Sequence, residues 1–236
     1  MFINGFDILW DEIDDYVADI KSIRSIDQFM FNKPVTFFCG ENGSGKSTLL
    51  EALAIKNGLN PEGGTRNYDF STYDSYSNLH KHMRLWRSRK PDWMYFLRAE
   101  SFYNVATKEM EYSGVFSERY HDQSHGQSFF SVLMKQTNKN GLYLLDEPEA
   151  ALSCQNQLAL LYLIQSCVKQ NCQFIIATHS PILLGFPDAQ ILSFDEDKVE
   201  EVDYKSTSSY QTMKLFLDRY DYFVKDIQEN NEGGIL

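Results

Sequence analysis

No stretch of the 236 residues approaches the run of about 18 apolar residues that a membrane-spanning helix needs, so no membrane insertion is expected. Positive charge is scarce: 22 Lys and Arg stand against 33 Asp and Glu, a net charge of −11. The surface as a whole therefore does not attract nucleic acid, and any such contact needs a local basic patch. The four cysteines, Cys39, Cys154, Cys167 and Cys172, never take C-x-x-C spacing. That excludes a disulfide framework and a zinc site and reads as reduced thiols in a cytoplasmic protein. The start of the chain lacks a basic segment followed by an apolar core, so no secretion signal is expected. Internal repeats, low-complexity tracts and sustained heptads are absent, which excludes long coiled-coil arms.

What is present starts from Gly40-Glu41-Asn42-Gly43-Ser44-Gly45-Lys46-Ser47-Thr48, which fits G-x-x-x-x-G-K-[ST], the phosphate-binding loop. The apolar run 35–39 leads in and the helix formers 49–54 lead out, so the loop lies between a buried strand and a helix. Glycines let the backbone curl so that its amides face a phosphate at the positive end of the helix. Asn42, Gly43, Ser44, Gly45, Lys46, Ser47 and Thr48 are the nucleotide-binding candidates, with Lys46 reaching the β- and γ-phosphates and Ser47 offering its hydroxyl to Mg²⁺.

Hydrophobic content of 43% is enough for a real core, and 236 residues favour one large domain or a domain with a small insert. Apolar runs at 93–97, 142–145, 174–177 and 189–194 read as strands, and 155–168 as a helix with Leu158, Leu161, Tyr162 and Gln165 at helical spacing. The mixed segment 1–34, with Val17, Ile20, Ile23 and Ile26, reads as an edge strand or two beside 35–39. Asp11, Glu12, Asp14 and Asp15 read as a solvated acidic face, and 57–64 as a loop. Residues 210–227 read as a packed helix with Met213, Phe216, Leu217 and Tyr220 on one face. Strands alternating with helices predict an α/β fold whose mostly parallel sheet is flanked by helices, with ligands at the carboxyl ends of the strands. Residues 80–90 carry five Lys/Arg and no acid. They read either as a basic helix that meets the phosphates of nucleic acid or nucleotide, or, more simply, as a helix face paired with acids of the same chain.

Leu142-Tyr143-Leu144-Leu145 ends in Asp146 and Glu147. Beside the phosphate loop, Asp146 reads as a Mg²⁺ ligand acting with Ser47, and Glu147 as the base that orients and deprotonates water. From here the sequence resembles the ABC-type ATPases. Asp146-Glu147-Pro148-Glu149-Ala150-Ala151-Leu152-Ser153 is similar to their Walker B and D-loop, His179 in 177–181 to their switch histidine, and Gln123-Ser124-His125-Gly126-Gln127-Ser128 to their L-S-G-G-Q signature. Glu147-Pro148-Glu149 and Thr178-His179-Ser180-Pro181 resemble the SMC/RecF-like branch, and 96–102 with the signature resembles short stand-alone bacterial predicted ATPases.

The resemblance implies a P-loop NTPase fold of ABC-ATPase type, one domain over 1–236, with a small helical insert at about 57–135 carrying the signature. It implies ATP and Mg²⁺ as cofactors, Ser124, Gly126 and Gln127 as γ-phosphate contacts made across an ATP-dependent homodimer, and His179 as a γ-phosphate partner. The signature departs from the family at Gln123 and His125. At the family's Q-loop position stand Arg98 and Glu100: Glu100 is a candidate for the metal's water, and Arg98 for phosphate or a structural ion pair. Ile23 and Arg24 are candidates to approach the base. The expected function is an ATP-hydrolysing switch acting on an unidentified protein partner, in DNA metabolism or defence. The alternatives are the nucleotide-binding subunit of a membrane transporter, a nucleic-acid-processing ATPase using 80–90, and a small-molecule kinase, against which the signature and His179 speak.

Overall fold

The computed structural model describes residues 1–10, 13–64, 77–99, 134, 137 and 139–229. Its centre is a six-stranded sheet in the order β5-β6-β7-β3-β8-β9, where β3 is Val35–Cys39, β5 Trp93–Arg98, β6 Gly141–Asp146, β7 Gln173–Ala177, β8 Gln190–Ser193 and β9 Glu200–Glu201. All pairings are parallel except β8 with β9. The unbroken apolar runs of β3, β6 and β7 are buried along their whole length, as strands covered on both faces must be. One side packs on the helix α2, Lys46–Lys56; the other packs on α4, Cys154–Val168. The α/β class with a mostly parallel sheet is thus as expected. No helix among the described residues is long and apolar enough to cross a membrane.

The segment 1–34 departs from expectation. Its strands β1, Ile3–Ile8, and β2, Gln28–Met30, pair antiparallel with β4, Met83–Arg87, in a separate sheet instead of edging the parallel one. Val17, Ile23 and Ile26 are buried in helical turns, including the short α1, Lys21–Arg24, because a spacing of three places them on one helical side. Two buried glutamines clamp the small sheet to the large one. Gln173 Oε1 accepts from the amides of Phe2, 2.7 Å, and Ile3, 3.0 Å, while its Nε2 donates to Ile3 O at 2.8 Å. Gln190 accepts from the Asn32 amide and donates to Met30 O and Glu201.

The basic stretch is a correction too. Its helix, α3, covers only Leu79–His82, and the rest is the strand β4 and the turn after it. Cross-strand chemistry decides this: Asp7 lies opposite Arg84 in the register and takes an ion pair from it at 3.0 Å and a hydrogen bond from Trp86 Nε1 at 2.7 Å. Arg87 donates to Lys56 O and Asn57, and Arg89 stacks over Phe2 at 4.6 Å. These three arginines are therefore held by their own chain.

Two helical faces also differ. In α4 the buried side chains are Gln157, Leu160, Ile164 and Cys167, whereas Leu158 and Tyr162 are exposed. The tail forms two helices, α6 (Ser208–Asp218) and α7 (Tyr220–Glu229), with no buried residue in either. It is helical, but its apolar face is not packed. Of the four acids near the start, Asp15 accepts from the Asn78 amide at 2.6 Å and Asp14 is exposed, while Asp11 and Glu12 lie outside the described residues. The thiols of Cys39, Cys154, Cys167 and Cys172 are all free.

Gln173→Leu removes the partners of two buried amides and one carbonyl, each costing about 1–3 kcal/mol when left unpaired. The expected result is a loss of about 3–6 kcal/mol in unfolding free energy by urea titration, with Phe37→Ala, a cavity mutation, losing about 3–5 kcal/mol by the same measurement.

Candidate nucleotide site

Parallel register brings the strand tips level. Arg98 pairs with Asp146, Asp146 with Ala177, and Ala177 with Phe38. The loop after β3 rises beside this row. Gly45 has φ +96° and a Cβ there would meet Ile23 Cδ1 at 2.7 Å, so only glycine lets the loop sit against α1. Ser22 donates its hydroxyl to Ser44 O at 2.5 Å, a second latch from the same turn. At the loop's start, Gly40 has φ +135°, and Asp195 Oδ1 accepts the Glu41 amide at 2.8 Å. Ile23 is wholly buried under Gly45, and Arg24 lies over the ring of Trp10 at 4.8 Å, so Ile23 does not reach a base.

Lys46 is almost fully buried and donates to Gly40 O at 2.6 Å and Glu41 O at 2.8 Å. Burial holds its ammonium below the usual lysine value, opposed by Glu147, Asp146 and Asp195. Ser47 Oγ donates to Asp146 Oδ1 at 2.8 Å, joining the loop to the end of β6. A hydroxyl and a carboxylate converging there form an oxygen donor pair, the chemistry a hard divalent cation takes, with phosphate oxygens and water completing it. No group of three or more His, Cys, Asp or Glu poised for a metal exists among the described residues, which agrees with so sparse a protein donor set.

Glu147 has φ 49°, ψ 50°. The other non-glycine residues with positive φ among those described are Asn140, Asn171 and Asp188, types that tolerate it, so Glu147 stands out as strained. Its amide donates to Ala177 O at 2.9 Å, pinning that conformation, and its Oε1 lies 3.3 Å from His179 Nε2. The histidine's own position is set by Glu149, whose Oε1 accepts from the amides of His179, 2.5 Å, and Ser180, 3.2 Å. Ser180 caps the short α5, Pro181–Leu184, and donates to Gln157 of α4 at 2.5 Å.

The structure thus brings Lys46, Ser47, Asp146, Glu147 and His179 to one edge of the sheet. Ser124, Gly126, Gln127 and Glu100 lie outside the described residues, as do Gln123 and His125. Arg98 resolves to an ion-pair bridge: Nη1 is 2.6 Å from Glu51 Oε2 on α2, and Nε is 3.4 Å from Asp146 Oδ2. Sequence reading passed over Glu51, Glu149, Gln157, Asp195 and Ser22. Glu51 has a legible signal, an acid on the buried side of an otherwise apolar helix; the others are set by long-range contacts. Tyr16 adds a hydrogen bond to the Thr48 side chain.

Two family models match the chain, an AAA domain over residues 17–82 and an AAA ATPase domain over 125–184. The cytochrome c biogenesis ATP-binding export protein CcmA of Rhizobium etli is 30% identical over 171 residues, covering 65% of this chain and 78% of that protein. An uncharacterized ABC transporter ATP-binding protein of Haemophilus influenzae is 27% identical over 183 residues, covering 66% of this chain and 68% of that one. Among solved structures, cbiO1 of Clostridium perfringens, part of the ABC transporter complex cbiONQ, has a TM-score of 0.46 at 17% identity, covering 95% of this chain and 100% of that one. The SMC head domain of Thermotoga maritima has a TM-score of 0.44 at 14% identity, covering 86% and 98%.

Arg98→Met leaves Glu51 and Asp146 facing each other without their shared cation. Breaking such a buried pair is expected to cost about 3–5 kcal/mol of stability in a urea titration. Arg98→Lys is expected to recover only part, because an ammonium lacks the planar fork that meets two carboxylates.

Proposed function

The chain belongs to the ABC-type ATP-binding proteins, and from that premise we propose that it hydrolyses ATP with Mg²⁺ and works as a two-copy switch on a partner protein. The observation that carries this reading is the convergence at one sheet edge of Ser47 on Asp146, at 2.8 Å, with Glu147 beside His179, at 3.3 Å. Lys46 and the amides opening α2 would bind the β- and γ-phosphates. Ser47 and Asp146 would hold the divalent cation, which neutralises charge on the phosphate oxygens when bound. Arg98, tied to Glu51, keeps Asp146 aimed at Ser47. Glu147 takes a proton from the attacking water, and its strained backbone directs the carboxylate off the strand line. His179, held through its amide by Glu149, orients that carboxylate and the γ-phosphate. Ser124, Gly126 and Gln127 would close the site from a second copy, so that ATP favours a closed pair that ADP does not.

A second reading has a specific observation behind it. The relatives named above include an ABC transporter ATP-binding protein and an ATP-binding export protein, which favours a membrane transport subunit as the partner. A likeness to the SMC/RecF branch supports a DNA-linked load less well, since Arg84, Arg87 and Arg89 are already engaged within the chain.

Glu147→Gln is expected to keep ATP binding and lower turnover on the order of 10²–10⁴-fold, the usual loss on removing a general base. Lys46→Ala and Ser124→Arg should each be inactive alone. Mixed in equal amounts they should regain hydrolysis, because one intact composite site forms between the two chains. No recovery on mixing defeats the two-copy mechanism. Duplex DNA is expected to leave the rate unchanged, and stimulation would restore the nucleic-acid reading.

A further inference from the structure

Half of the large apolar side chains that lie exposed among the described residues fall between Met213 and Ile227, in a chain whose other helices bury their apolar sides. They belong to α6 and α7. Phe216, Leu217, Tyr220, Phe223, Val224 and Ile227 recur at helical spacing and form one stripe. Phe216 touches Tyr220 and Phe223, with ring centroids 5.8 and 5.9 Å apart, so the stripe is continuous across the break between the helices. Leu217 is 64% exposed and Ile227 69%. The start of α6 is anchored: Tyr204 and Tyr210 pack edge to face at 4.7 Å, and Ser208 donates to Asp195. Beyond that anchor both helices stand in solvent.

The charges beside the stripe indicate what covers it. Arg219 and Asp226 are seven residues apart, two helical turns, and so flank the stripe on the same side. A parallel copy would set Arg219 against Arg219 and Asp226 against Asp226. A reversed copy, with its two-fold axis between Asp221 and Tyr222, sets Arg219 against the second copy's Asp226, twice. The same register puts Tyr220 opposite Phe223, Leu217 opposite Val224, and Phe216 opposite Ile227. An isologous contact must be self-complementary in this way. A stripe about 30 Å long, reckoned at 1.5 Å per residue, and about 10 Å wide covers on the order of 1,200 Å² in total when paired with itself, the low end for a specific stable interface.

We propose that α6 and α7 pair antiparallel with the same helices of a second copy of this chain, without nucleotide. This interface is separate from closure around ATP. It keeps two copies together when the nucleotide sites are open, and Asp195 links it to the phosphate loop by accepting from both Ser208 and the Glu41 amide.

Sedimentation of the full chain free of nucleotide at micromolar concentration tests this. Wild type is expected to be a dimer. Arg219→Asp and Asp226→Arg should each weaken it by about tenfold or more, since each sets like charges together. The double variant should return to wild-type affinity, and Leu217→Asp should be monomeric with unchanged helical content. A monomeric wild type, or a double variant no tighter than the singles, overturns the proposal. Because no nucleotide is present, either result is independent of ATP-driven closure, which the mixing of Lys46→Ala with Ser124→Arg reports on its own.

Discussion

Parallel pairing places Asp146, Ala177 and Phe38 in one hydrogen-bonded row, and the candidate site is built outward from that row. Each strand is followed by a turn at the same edge, so the phosphate loop, the Asp146-Glu147 pair and the His179 turn meet although they are about 100 and 30 residues apart in the chain. The row tolerates no slip. A shift of one residue in β6 would turn Asp146 to the other face and part it from Ser47. The apolar burial of β3, β6 and β7 on both faces is what makes that register costly to lose.

The antiparallel sheet contributes to the site by shaping the loop from behind. Ile23 and Ser22 on α1 press against Gly45 and Ser44, and the glutamines of β7 and β8 hold this sheet to the parallel one. Buried amides satisfied on all sides specify one relative placement of the two sheets, which an apolar contact alone would leave looser. From the other side Asp195 accepts from both the Glu41 amide and Ser208, so the loop is braced between α1 and the foot of the tail.

Charge is concentrated where water is scarce. Lys46, Glu51, Asp146 and Arg98 lie within or near the core edge, and each is tied to another: Arg98 bridges the two carboxylates, and Lys46 is neutralised by carbonyl dipoles and nearby acids. Desolvation makes every one of these contacts stronger than its surface equivalent and makes loss of one member costly. The left-handed backbone of Glu147 belongs to the same economy of placement: strain is tolerated at the residue whose carboxylate must leave the strand direction.

Local order in the sequence determined the strands β3, β5, β6, β7 and β8, the helices α2 and α4, and the loop that joins β3 to α2. In each, a run of like residues or a short motif carries the information within its own length. The helical character of 154–168 and of the tail was equally local. What only the tertiary structure decided was which face each presents. Helix α4 carries two apolar stripes, and the sheet takes Leu160 and Ile164 while leaving Leu158 and Tyr162 to solvent. The tail's stripe is as regular as a core stripe yet has nothing of its own chain against it. The basic run 80–90 became a strand because Asp7, some 77 residues earlier, pairs with Arg84. Arg98 became a bridge because Glu51 and Asp146 arrive from two other elements. Periodicity fixes an element's geometry from within, whereas burial and ion pairing depend on neighbours brought in from elsewhere in the chain.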